Sequence, residues 1–215
     1  MLEIEVHGVR LCLLPQRAAW LPDHGTLLVA DAHLGKAVSF RKLGVPVPEA
    51  TTEANLDRLS QVIERTGAQR LVFLGDLLHS TRARADGTVE AVSRWRAGHA
   101  EVSMDLVPGN HDRHAGAPPP AWNIQLLPGP FAVAGLWLCH EPDPVPDRFA
   151  LGGHLHPCAV LGGRAHDRLR LPCFHFGARV GVLPAFGAFT GMHVMPRAPG
   201  DRVYVVADDE VHALP

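Results

Sequence analysis

Three short apolar runs in the chain each stop at a polar cluster. Leu27-Leu28-Val29-Ala30 precedes Asp31, Leu71-Val72-Phe73-Leu74 precedes Gly75-Asp76, and Leu106-Val107 precedes Pro108-Gly109-Asn110. Runs this short, closed by turn-forming residues, predict buried strands. Between the first two, Leu56, Leu59 and Ile63 recur at helical spacing over residues 50–66, and the pattern ends at Gly67, which predicts a helix. Val89, Val92 and Trp95 predict another before the third strand. Alternating strands and helices imply parallel strands joined by crossovers. The three polar clusters then share the carboxyl edge of one sheet, where open α/β sheets hold their ligands.

Beyond about residue 120 the pattern changes. Phe131-Ala132-Val133, Leu136-Trp137-Leu138-Cys139, Leu169-Arg170-Leu171 and Val203-Tyr204-Val205-Val206 are short runs without long helical periods, so this half reads as strand and turn. The expected fold is α/β, two-layer or sandwiched, with a helix-rich first half and a strand-rich second half. Ala117-Pro118-Pro119-Pro120 reads as a rigid connector, and internal repeats are absent, so residues 1–215 are expected to form one domain.

With 47% hydrophobic and 20% charged residues, wholesale disorder is excluded. The formal net charge of −2 gives no global field for nucleic acid, so any such partner needs a local patch. Met1-Leu2-Glu3-Ile4-Glu5-Val6 lacks the basic and apolar regions of a signal peptide, and no run reaches the length of a membrane span. A cytoplasmic protein without a membrane partner is the simplest expectation. Cys12, Cys139, Cys158 and Cys173 form no C-x-x-C pair and are expected to be buried and reduced.

Five clusters carry the candidate chemistry: Asp31-Ala32-His33, Gly75-Asp76, Gly109-Asn110-His111-Asp112, His140 at the end of an apolar run, and Gly153-His154-Leu155-His156. Each alone is a weak signal. Together they supply carboxylate, amide and imidazole donors from separate strand-end loops, a mixture that suits Mn, Fe or Zn better than Ca or Mg. Mn is the expected ion, with Fe or Zn as alternatives. Asp31, His33, Asp76, Asn110, His140, His154 and His156 are too many ligands for one first-row ion. They match two ions about 3.5–4 Å apart sharing one carboxylate, for which Asp76 is the candidate.

The order D-x-H, G-D, G-N-H-[DE], H, G-H-x-H resembles the calcineurin-like metallophosphoesterase superfamily, and all five blocks are present between Asp31 and His156. The resemblance implies one ion on Asp31, His33, Asp76 and His156, and a second on Asp76, Asn110, His140 and His154, with His111 facing the leaving group. The phosphoprotein-phosphatase branch carries a second Asp and an Arg shortly after its G-D block, whereas this chain has Gly75-Asp76-Leu77-Leu78-His79-Ser80, a form similar to the nuclease branch. A closer resemblance rests on Asp31-Ala32-His33-Leu34-Gly35-Lys36, Phe40-Arg41-Lys42-Leu43-Gly44-Val45-Pro46-Val47-Pro48, His140-Glu141-Pro142, Gly153-His154-Leu155-His156-Pro157, Leu171-Pro172-Cys173-Phe174 and residues 183–191. These look like the bacterial ligase-associated DNA damage response endonuclease family. That likeness implies a one-domain phosphoesterase in DNA repair, with DNA as substrate and ligase-associated repair proteins as possible partners.

The expected function is two-metal-dependent hydrolysis of phosphodiester bonds, as a DNA endonuclease acting on single-stranded or otherwise exposed DNA. The alternatives are a small cyclic-nucleotide or nucleotide-diphosphate hydrolase and a non-catalytic scaffold of the same fold. His111 is expected to protonate the leaving alkoxide, and His79 to tune it or to bind phosphate. Asp112 reads as structural. Arg41, Lys42, Arg82 and Arg84 follow two metal-bearing loops and are candidates for holding the DNA backbone. Arg94 and Arg96 are left between a solvated face and a phosphate track. Phe186 and Phe189 read as core, and His7, His24, His99, His114, His166, His175, His193 and His212 as surface or locally hydrogen-bonded residues.

Overall fold

A computed structural model describes residues 1–42, 44–45, 51–162, 168–188 and 190–215. Ala50, His166, Phe189, the side chain of Lys42, and Leu43 and Pro46-Val47-Pro48 of the family-like segment lie outside the described residues. The first sheet runs in chain order: β1 (Leu2–Val6), β2 (Val9–Leu14), β3 (Ala18–Leu21), β4 (Thr26–Val29), β5 (Arg70–Leu74), β6 (Ser103–Val107) and β7 (Ile124–Leu126). The first four pair antiparallel, and β4 through β7 pair parallel. Crossovers carry α1 (Lys36–Lys42), α2 (Thr51–Thr66), α3 (Asp86–Ala97) and α4 (Asn110–Ala115). The three strands and two helices anticipated in this half are present. The opening antiparallel meander was not anticipated, although Leu2, Ile4 and Val6 alternating with Glu3 and Glu5 carry its period of two.

The second sheet holds β8 (Phe131–Val133), β9 (Leu136–Leu138), β10 (Phe149–Gly152), β11 (Pro157–Gly162), β12 (Arg168–Phe176), β13 (Val180–Val182), β14 (His193–Val194), β15 (Arg202–Ala207) and β16 (Glu210–Ala213). All four anticipated runs fall in it, and no α-helix occurs among the described residues after Ala115. β10 lies parallel to both β9 and β13, and β12 pairs antiparallel with β11, β13 and β15.

Alternate residues of the parallel strands face opposite ways, which is why they read as unbroken apolar runs. Leu27, Val29, Leu71, Phe73, Met104 and Leu106 pack with Leu56, Leu59, Ile63 and Val92 of the helices. Leu28, Ala30, Val72, Leu74 and Val107 pack with Leu136, Leu138, Phe149, Leu151, Phe174 and Phe176 of the second sheet. The architecture is therefore sandwiched: helices, first sheet, second sheet. Each fully buried leucine or phenylalanine contributes about 1.5–3 kcal/mol, so these two interfaces hold both sheets in register at their carboxyl edge. All four cysteines are buried and free.

Candidate metal centre

Strand ends from both sheets meet at one place. Asp31 and His33 follow β4, Asp76 and His79 follow β5, and Asn110 and His111 open α4 after β6. From the other sheet, His140 follows β9, and His154 and His156 occupy the turn from β10 to β11. Backbone bonds knit the first loops together: His33 N–H donates to Asp76 O at 2.8 Å, and Leu34 N–H to Leu77 O at 2.8 Å. Five of these residues, Asp31, His33, Asp76, His154 and His156, hold φ between 44° and 67°. Left-handed backbone costs a non-glycine residue roughly 1–2 kcal/mol, and such strain clusters where function demands it. Two motif glycines leave room for the carboxylates. A Cβ on Gly109 would stand 2.2 Å from Asp76 Oδ1, and one on Gly153 would stand 2.3 Å from Asp31 Oδ2.

Asp31, His33, Asp76 and His140 are buried. The Asp31 Oδ2 atom accepts the His154 N–H at 2.9 Å, while Oδ1 is buried without a hydrogen bond and faces His156 Nε2, equally unbonded, at 3.5 Å. Donor atoms of Asp31, His33 and His156 lie within 4.8 Å of one another, as do those of Asp31, Asp76 and His140. Asp76 stands between two groups, with Oδ1 3.5 Å from His140 Nε2 and Oδ2 3.9 Å from His33 Nε2 and from His111 Nε2.

The other corner of the site is tighter. His140 Nδ1 lies 3.0 Å from the Leu74 carbonyl, to which its N–H donates, so Nε2 is the atom turned to the cluster. It lies 2.9 Å from Asn110 Oδ1, and His154 Nδ1 lies 3.1 Å from both. Three atoms able to ligate a metal thus converge at one corner of the site. Donors about 2.1 Å from a shared centre and at right angles to each other stand about 3.0 Å apart, so the spacing fits a metal ion. The exposed Glu141 brings a carboxylate within 4.8 Å of His140 and His154 donors, a contribution the sequence reading passed over.

Charge in the site follows burial. Burial pushes the Asp76 carboxyl above its ordinary range, against the pull of His140 and of the His111 N–H. Burial holds the His33 imidazole far below its ordinary value, with Lys36 next in effect. His79 is pushed down to about 4, by burial and then by Lys36 and His111. Both are neutral at pH 7, which in His33 is the form a metal-binding imidazole needs. Lys36, itself buried, has its pKa lowered by burial and drawn back up by Asp31 and Asp76, which places a cation beside both carboxylates. Sequence spacing gave no sign of this.

Neither family models nor curated proteins match the chain. Among solved structures, Pseudomonas putida nuclease MPE is 39% identical over 99% of this chain and 99% of that one, with a TM-score of 0.87. The chain belongs to the metallophosphoesterase nuclease family. Two further structures are similar at 14% identity. Yfce, a phosphoesterase from E. coli, has 86% of this chain and 90% of that one covered at a TM-score of 0.40. A conserved protein of Streptococcus pneumoniae TIGR4, described as a predicted phosphoesterase, has 85% and 83% covered at 0.30.

In this metallophosphoesterase the histidines beside the cluster form a stack. His79 and His111 lie with ring centroids 4.9 Å apart, and Phe40 stacks on the far side of His79 at 6.1 Å. The His111 Nδ1–H donates to the His79 carbonyl at 2.7 Å, which directs Nε2 toward the cluster. Asp112 accepts the backbone N–H groups of Leu78 and Gly109, the structural part expected of it.

The basic candidates divide. Arg82 is exposed and Arg41 half-buried near Thr52 and Glu53. Arg84 is exposed, yet its Nη1 donates to the carbonyls of Ala115 and Ala117 after α4. Arg96 belongs to neither reading proposed for it. It is buried, donating to the carbonyls of His99, Val102 and Trp122. Phe186 is fully buried, as a core residue should be. Among the remaining histidines, His99 bonds the Trp95 carbonyl, His114 that of Asn110, and His175 the Asp201 carboxylate.

Proposed function

We propose that this metallophosphoesterase is a two-metal phosphodiesterase that cuts DNA, with single-stranded or otherwise exposed strands as substrate. The observation that carries the reading is the gathering of carboxylate, amide and imidazole donors at one sheet edge, with Asp31 Oδ1 and His156 Nε2 buried without a hydrogen bond and 3.5 Å apart. Support for the substrate comes from the full-length likeness to a protein named a nuclease.

Asp31, His33, Asp76 and His156 would hold one ion, and Asp76, Asn110, His140 and His154 the other, with Mn as the proposed ion and Fe or Zn as alternatives. When bound, such ions lower the pKa of water and neutralise charge on a phosphoryl group. Asp76, with one oxygen toward each histidine group, keeps the halves of the cluster in fixed relation. Main-chain donors at His154 and His111 hold Asp31 and Asp76 in place before substrate arrives. His111 presents Nε2 at the rim of the cluster and, as the imidazolium, delivers the Nε2 proton to the departing alkoxide, returning to the neutral ring. His79, neutral at pH 7, orients His111 through its carbonyl and its ring and donates no proton. Arg41, Lys42 and Arg82 are the proposed contacts for the flanking backbone. A role in cytoplasmic DNA repair beside a ligase rests on the family resemblance.

Metal analysis of the purified protein, followed by turnover of bis(p-nitrophenyl) phosphate with added Mn and then with chelator, tests the chemistry. Bound metal and chelator-sensitive turnover are expected; a metal-free, inactive protein would identify a scaffold. Single-stranded DNA, cyclic nucleotides and nucleotide diphosphates compared at matched metal then test the substrate. Faster turnover of the small nucleotides would replace the nuclease reading.

A further inference from the structure

A cavity of about 190 Å³ adjoins the metal centre, and His156 forms part of its wall. Arg17, Pro157, Ala185 and Thr190 line it as well. Drug-sized ligands occupy pockets of roughly 300–1,000 Å³, so this space suits a small group rather than a whole nucleotide.

Arg17 is unusual in two respects. It ends the three-residue loop Pro15-Gln16-Arg17 between β2 and β3, whose last pair before the loop is Leu14 with Ala18. Its N–H donates to the Leu14 carbonyl at 3.0 Å, and its φ is 64°. The last residue of such a loop is left-handed and favours glycine. An arginine there accepts backbone strain that a glycine would avoid. Among the described residues its guanidinium makes no hydrogen bond or ion pair and no carboxylate acts on it; burial lowers its pKa. An arginine is charged at every accessible pH, so a half-buried one without a counter-charge calls for an anion.

The surroundings reinforce the charge and fix the shape. Arg58 is close enough for Arg17 to lower its pKa further, after burial, to about 10, and among the described residues no carboxylate acts on Arg58 either. It donates to Asn55 Oδ1 and the Phe186 carbonyl, with its guanidinium over the Phe186 ring at 4.2 Å. The segment bearing Ala185 and Thr190 is therefore pinned to α2. It is also pinned to the metal-bearing loop, because Phe186 and Gly187 donate to the carbonyls of Ala30 and Asp31 at 2.9 Å. The cavity is thus built in place, cationic on one side and bounded by a metal-centre histidine on the other.

We propose that this cavity is a subsite for a second phosphate of the substrate strand, next to the phosphodiester that is cut, with the Arg17 guanidinium as its bidentate partner. Guanidinium matches phosphate geometry with two parallel hydrogen bonds, which a lysine does not. The subsite rests on the reading of the centre as a strand-cutting phosphodiesterase. It explains how the enzyme would favour a polynucleotide over a lone diester without a net positive charge.

The test compares kcat/KM on bis(p-nitrophenyl) phosphate, on dithymidine monophosphate, and on that dinucleotide with an added phosphate at its 5′ or its 3′ end. In the wild type, one of the two added phosphates should raise kcat/KM roughly ten- to a hundredfold, the size of one charge-assisted interaction. Arg17→Gly, which suits the left-handed backbone, should keep the thermal midpoint at or above that of the wild type and erase this gain. Arg17→Lys should restore part of it. Turnover without a gain from either phosphate, a gain that survives Arg17→Gly, or a marked fall in the midpoint of that variant would each overturn the subsite alone. No turnover of any of the four substrates would overturn the phosphodiesterase reading and the subsite with it.

Discussion

His111 touches Asp76 twice: its backbone N–H donates to Oδ1 at 2.9 Å, and its imidazole Nε2 lies 3.9 Å from Oδ2. The main-chain bond survives any substitution at His111, so the carboxylate keeps its place when the ring is removed. His111→Ala should therefore retain metal content and lose about 10²–10⁴-fold in kcat on a diester with a poor leaving group. The loss should shrink on an aryl diester, whose leaving group needs little protonation. Equal losses on both substrates would remove the general-acid role.

Asn110 should couple metal binding to thermal stability. Asn110→Ala removes a ligand atom of the cluster, so the rise in melting temperature on adding Mn should be much smaller than in the wild type. A wild-type protein at 100 times its metal Kd gains about 2.7 kcal/mol from binding. Thermal melts with and without Mn measure the rise in each protein. A full metal-induced rise in Asn110→Ala would take this residue out of the ligand set.

Close approach at Gly109 makes a second prediction about the same carboxylate. Gly109→Ala would set a methyl group 2.2 Å from Asp76 Oδ1 and 2.6 Å from its backbone nitrogen, so the loop must shift, at a cost of about 1–3 kcal/mol. Metal binding should fall with it. Gly87→Ala is the control: nothing lies within 4 Å of its Cβ in the first turn of α3, and helix propensity should leave the protein slightly more stable.

Acid should weaken the metal-free protein through its buried imidazoles, an effect that the raised Asp76 and Asp112 carboxyls oppose. His79 is held down at about 4, against about 6.5 in the unfolded chain. Between those values the unfolded state carries a proton that the folded state does not, so stability is full above about pH 6.5 and falls as pH drops toward 4. His33 acts in the same direction. Urea midpoints of chelated protein at pH 7, 6 and 5 should fall in that order, with a shallower slope in His79→Gln. A midpoint that rises on acidification would contradict the burial argument.

The exposed arginines should separate by role. Arg82→Ala should weaken binding of single-stranded DNA and reduce its logarithmic salt dependence by about 0.7, the share of one phosphate contact. Arg84→Ala should instead lower the melting temperature, since the carbonyls of Ala115 and Ala117 lose their donor at a cost of about 1 kcal/mol. A salt slope that changes only in Arg84→Ala would reverse these assignments.

Much of the centre was legible because strands buried on both faces leave unbroken apolar runs, and the residues that end them sit at one edge. Asp31, Asp76, Asn110 and His140 could be placed in this way. What escaped depends on contacts between distant segments. Arg96 reads as a surface charge on a helix, yet it is buried because three carbonyls from three turns converge on it. Lys36, the first residue of α1, comes under the influence of Asp31 and of Asp76 from a distant loop, which only the fold brings together. The meander from Leu2 to Leu21 was readable from its alternation but carries no chemistry to draw the eye.

The cluster draws Asp31, His33, Asp76 and Asn110 from the first sheet, and His140, His154 and His156 from loops of the second. A ribosome releases the first set well before the second, and chains fold in the order they emerge. A nascent chain that has already formed its helical layer still has only half a cluster. The cluster is thereby complete only once the loops bearing His140, His154 and His156 have emerged and docked, so the order of synthesis sets when the centre can first assemble.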